Sequence, residues 1–98
     1  MRFMITWTLN ATAASEADQA RILALFSKWE PPVPLREWSG FSDGSGGLGI
    51  VETDDAEVLA ALTAVWTPWL TFTVKPLIPI ERTATTMADA ATFRDSVT

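Results

Sequence analysis

Few residues in this chain can do chemistry, because it contains no His, Cys or Tyr. That removes histidine bases, thiolate nucleophiles, phenolic acids and the usual ligands of zinc and haem. Glu37 and Arg36 precede Trp38 on one predicted strand. A carboxylate beside an indole in a half-buried pocket has a raised pKa suited to proton abstraction, which makes Glu37 the candidate catalytic residue. The plainer reading of the same residues is a solvated ion pair on an edge strand. Glu52, Asp54 and Asp55 have the donor set of a hard-cation site. Helix capping accounts for Asp54 and Asp55 without a metal, and no metal or cofactor is expected. Five Trp is a heavy loading for 98 residues. Trp38 is the candidate to line a pocket, since Gly40, Gly47 and Gly49 put no side chains on the sheet beside it. Arg36, Trp7 and Gly49 complete the candidate binding set, although Trp7, Trp29 and Trp66 also sit at spacings that suit a core.

Composition narrows the partners. The net charge is −5, and the seven Lys and Arg are scattered singly from Arg2 to Arg94. Phosphate backbones need clustered positive charge, so nucleic acid is disfavoured. No apolar run approaches the roughly 18 residues of a membrane span, and Met1 to Leu9 lacks the apolar stretch and cleavage site of a secretion signal. A cytoplasmic protein is expected. The glycines from Gly44 to Gly49 fall in a hairpin, away from any strand-to-helix turn, and form no phosphate cradle.

The elements that must position these residues follow from periodicity. Phe3, Ile5, Trp7 and Leu9 alternate with Arg2, Met4, Thr6 and Thr8, which predicts a first strand over 2–9. Ser15 is a good N-cap, with Glu16 and Asp18 in the first turn, for a helix running to about Trp29 before Pro31, Pro32 and Pro34. A second strand is predicted from Leu35 to about Ser42, a turn over Asp43 to Gly46, and a third strand from Gly47 to Thr53. Asp54, with Glu57 three residues on, predicts the cap of a second helix ending before Pro68. Trp69 to Leu77 alternates again as a fourth strand. Pro34 and Pro76 suit edge strands, because proline cannot donate to a ladder. The fold read from this order is α+β, a split βαββαβ sandwich with one four-stranded antiparallel sheet in the order 4-1-3-2. Residues 1–79 form the domain. Residues 80–98 are read as a tail, or as a short helix begun by Thr86 and Asp89.

Two amphipathic helices cover one sheet face, and Phe3, Ile5, Trp7, Leu70, Phe72 and Val74 are the set to receive them. Met4, Thr6, Thr8, Trp69, Thr71 and Thr73, joined by Trp38, are expected on the other face. Such a face is either solvated or meets a twin, and a homodimer through Thr6, Thr8, Trp69, Thr71 and Thr73 is the expectation.

The opening Met1-Arg2-Phe3-Met4-Ile5-Thr6-Trp7-Thr8, the Trp38 after a proline-bearing segment, the stretch from Gly49 to Ala56 and the late Trp66 carry a resemblance. Over most of Met1 to Pro79 the chain resembles an uncharacterised bacterial family, the domain of unknown function 3303. Its members are similar in outline to the dimeric α/β-barrel, ferredoxin-like superfamily. The resemblance implies that fold and a dimer, and no activity. Monooxygenases of the superfamily place Asn, Trp, His or Tyr in their pockets. The single Asn here, Asn10, falls after the first strand, so that activity does not carry over. The functional expectation is a small homodimer that binds a small apolar or aromatic molecule between sheet and helices, with cofactor-free catalysis within its reach. The alternative is a non-catalytic interaction or structural module.

Overall fold

The computed structural model describes residues 1–97. Strand β1 spans Arg2–Leu9, helix α1 Glu16–Phe26, β2 Leu35–Gly40, β3 Gly46–Glu52, α2 Ala56–Ala64, β4 Leu70–Leu77 and α3 Ile80–Ser96. The four strands form one antiparallel sheet in the order β2-β3-β1-β4. This is the expected α+β ferredoxin-like order read from the opposite edge. The outer strands are those associated with proline: Pro34 directly precedes β2 and Pro76 lies within β4.

Local chemistry explains the element ends. Ser15 caps α1 by accepting from the Asp18 N–H at 3.0 Å, and Asp55 caps α2 by accepting from the Glu57 N–H at 2.9 Å. The capping carboxylate is thus Asp55 and not Asp54, a correction of one residue. Asp54 instead accepts from the Met1 ammonium at 2.8 Å. That hydrogen bond, then the charge attraction, holds the Asp54 carboxyl below its ordinary value. In the β2–β3 turn Gly44 has φ of 76°, a left-handed conformation that glycine adopts without a Cβ penalty.

The register decides which side chains share a face. Trp7 stands opposite Gly47 on β3 and Phe72 on β4, and Ile5 opposite Gly49 and Val74. Thr6 and Thr8 share the other face with Thr73 and Thr71. The expected placement of Trp38 on that second face is wrong. β2 slips by one residue between Leu35 and Glu37, so Leu35 pairs with Val51, Glu37 with Ile50 and Trp38 with Gly49. A one-residue bulge reverses the phase of every side chain beyond it. Leu35 and Trp38 therefore both face the helices, and Glu37 faces away.

The core sits under α2. Ile5, Val51 and Leu62 form its buried centre, with Phe3, Val33, Leu35, Leu59 and Phe72 packed around them. Val51 is fully buried, which stabilises the fold by about 1.5–3 kcal/mol. α1 is different, because none of its side chains is buried, and Leu23 and Phe26 are 68% and 52% exposed. One helix is packed on the sheet and the other stands off it.

The segment read as a tail or short helix is one continuous helix of 17 residues. Its threonines are accommodated by bonding backward: Thr85 Oγ1 donates to the Glu81 carbonyl and Thr92 Oγ1 to the Ala88 carbonyl. α3 buries no side chain. At about 1.5 Å per residue it accounts for much of the molecule's 60 × 27 × 23 Å extent. Among the described residues no helix is long and apolar enough to cross a membrane.

Candidate functional site

The gap between α1 and the sheet is a cavity of about 570 Å³, within the range of small-molecule sites, roughly 300–1,000 Å³. Its floor follows from strand alternation. Ile5, Trp7 and Leu9 come from β1, and Leu70 and Phe72 from β4. The Trp7 indole lies flat against β3, where a Cβ at Gly47 would meet its ring at Cε2, 2.9 Å away. A Cβ at Gly49 would be 3.9 Å from Cζ3 of the same indole and 3.1 Å from Leu35 Cδ2. The bare β3 backbone is thus the bed for Trp7, and Trp7 forms the cavity floor above it.

The roof comes from α1. Gln19, Ile22, Leu23 and Phe26 recur at three- and four-residue spacing and line the cavity from one helix face. A run of aromatic rings closes the side. Phe26 lies 5.3 Å from Trp38 (54° between planes), Trp38 lies 5.9 Å from Trp29 (77°), and Trp29 lies 5.2 Å from Trp66 (88°). These tilted and edge-to-face geometries suit the ring quadrupoles. Exposure rises along the run, from 5% at Trp66 to 44% at Trp38 and 52% at Phe26. The closed end is at Trp66 and the mouth is the exposed rim on which Phe26 and Trp38 stand.

Of the residues singled out in the sequence, Trp7, Trp38 and Gly49 converge on this cavity. Glu37 and Arg36 do not line it. Glu37 is exposed on the opposite face of β2, so the burial on which its catalytic reading rested is absent. Arg36 is in the bulge and pairs with Glu52 at 2.7 Å. Glu52, Asp54 and Asp55, read as a cation site on paper, are each engaged elsewhere: with Arg36, the Met1 ammonium and the α2 N-terminus. Asn10 receives the Thr71 hydroxyl on its side-chain oxygen and ties the end of β1 to β4.

The two polar lining residues escaped sequence reasoning. Gln19 sits one turn before Ile22 on the α1 stripe, a spacing that could have revealed it. Asp43 reads as a turn residue, and its turn chemistry is real: its Oδ1 accepts from the Ser45 N–H at 2.9 Å. Ser45, through its hydroxyl first and its backbone N–H second, holds the Asp43 carboxyl below its ordinary value. The same hairpin tip places Asp43 and Gly44 at the cavity wall.

A family model described as a domain of unknown function (DUF3303) matches residues 1–91, which takes in the whole sheet and most of α3. No curated protein matches the chain.

Proposed function

Starting from a chain that belongs to the DUF3303 family, we propose that the protein binds a small molecule with an apolar, aromatic body in the cavity between α1 and the sheet. The observation that carries this reading is the wall itself: Trp7, Trp29, Trp38 and Trp66 all line one 570 Å³ space. An apolar cavity of that size left to water forfeits the contacts its lining would otherwise make, and a flat ring inserted between Trp7 and α1 restores them. Among the described lining residues Asp43 is the sole acid–base side chain, so the reading is one of binding and assigns no reaction. A panel of indole, coumarin and 1,4-naphthoquinone tests it by thermal shift and titration calorimetry. At ten times Kd a binder should raise Tm by about 5–10 °C, and Trp38→Ala should abolish the rise. Flat traces for the whole panel at millimolar concentration would overturn the reading.

A second reading, self-association, is favoured by the uncovered face of the sheet. Met4 and Leu48 are half-buried and Ile50 is 9% exposed along its middle, with Thr6, Thr8, Thr71 and Thr73 around them and Trp69 at one end. This is a mixed apolar and threonine surface, of the kind that a twin copy would cover. Sedimentation of the full chain should give twice the 10.7 kDa of one copy, and Thr73→Glu should return it to one. Truncation after Pro79 removes the exposed Met87 and Phe93 of α3 and should leave the pair intact. A dimer that survives Thr73→Glu and dissolves on truncation would move the interface to α3.

A further inference from the structure

The charges around the cavity say more about its occupant than its shape does. Two polar side chains line it besides the indoles, Gln19 and Asp43, and no Lys or Arg stands among the described lining residues. The basic residues are directed elsewhere. Arg36 is held by Glu52, and Arg2 and Lys75 stand at the far sheet positions opposite Leu77 and Met4. Arg82 and Arg94 are on α3, and Arg21 on α1 and Lys28 just after it are exposed and outside the cavity wall. The polar side chains present acceptors. Gln19 Nε2 donates to the Ala14 carbonyl at 3.5 Å, so its amide oxygen is the group left for a ligand. Asp43 accepts from Ser45, a neutral partner that leaves the carboxylate charge uncompensated. Aromatic faces carry negative quadrupole density and attract a cation laid over them.

Resting on the reading of the cavity as a binding site, we propose that its ligands are aromatic amines in their ammonium form, with the ring on Trp7 and the ammonium at Asp43 and Gln19, and that the site rejects aromatic carboxylates. An incoming carboxylate would meet another carboxylate, an amide oxygen and the faces of indoles, with no cation to receive it. An ammonium meets a carboxylate, an amide oxygen and ring faces, each of which attracts it. The depressed Asp43 pKa keeps that acceptor charged through the neutral range.

Tryptamine, 3-ethylindole and indole-3-propionate share one ring and nearly one length, and differ in charge. Calorimetric titration of the full-length protein at low salt should rank them in that order, with tryptamine about tenfold tighter than indole-3-propionate. The gap should narrow at high salt, because the exposed rim is screened. Asp43→Asn keeps the oxygen that accepts from Ser45 and so keeps the turn, and it should bring the two within about twofold. Gln19→Lys, a substitution that a helix face tolerates, should favour indole-3-propionate. Equal binding of all three, or a gap that persists in Asp43→Asn, overturns the charge inference and leaves the cavity reading standing. Failure of all three while indole, coumarin or 1,4-naphthoquinone binds removes the charge inference alone, and silence from every compound removes both.

Discussion

Gly46→Ala is expected to be the most destabilising single-methyl change in the molecule, lowering Tm by about 15 °C. A Cβ at this position would be driven onto the Trp7 carbonyl oxygen, with the carbonyl carbon at 2.8 Å and Thr8 Cα at 3.0 Å. These are backbone atoms of the neighbouring strand and cannot rotate aside. Relief requires β1 and β3 to part at the Thr8–Gly46 pair, which also strains the bonds from Leu9 N to Ser45 O and from Phe41 N to Gly46 O, 2.9 and 2.8 Å. Overpacking of this kind costs about 1–3 kcal/mol, occasionally more, and each kcal/mol moves the midpoint of a domain this size by roughly 4–8 °C. Gly40→Ala is the matched control, since its Cβ would come no nearer than 3.9 Å to the Gly46 carbonyl. Thermal denaturation followed by circular dichroism measures both, and a Gly46→Ala protein melting within a few degrees of Gly40→Ala would contradict the account.

Trp66→Ala and Trp38→Ala should behave oppositely although both rings touch Trp29. Trp66 is 5% exposed and packs edge-on against Trp29, 5.2 Å away. Deleting it leaves a void behind Trp29 at the closed end of the cavity, and large aromatic truncations of this type cost about 3–5 kcal/mol. Against a total stability of roughly 5–15 kcal/mol, that is most of the margin for a small domain. Trp38 is 44% exposed at the mouth, so its truncation should cost about 1 kcal/mol while removing ligand binding. Urea denaturation with matched calorimetry separates the effects. A Trp38→Ala protein that unfolds more readily than Trp66→Ala would make the mouth a structural element and deny it the role of an entrance.

How far the sequence could be read depended on whether a strand kept its phase. β1 and β4 hold an unbroken alternation, so the roles of Ile5, Trp7, Phe72 and Thr73 were legible, and proline placed the edges. β2 was not, because the extra residue at Arg36 is invisible to a period of two. Counted without it, Trp38 falls on the threonine face and Glu37 toward the helices, the reverse of what the structure holds. The same slip accounts for the misplaced catalytic candidate. Glycines on β3 did signal space, but the sequence does not show that the space would be floored by Trp7 or that α1 would stand off while α2 packed down. α3 was under-read because threonine is a weak helix former, and the backward bonds of Thr85 and Thr92 become evident only once the helix exists.

The outlying α3 has a practical consequence for weighing the particle. A radius of gyration of 17.8 Å compares with about 13 Å for a compact chain of this length. Single copies will drag like a bulkier sphere and leave a gel-filtration column early, at the volume of a globular protein well above their own mass. Elution against globular standards would therefore report a pair where there is one, and light scattering, which weighs the particle without regard to its outline, returns the true figure.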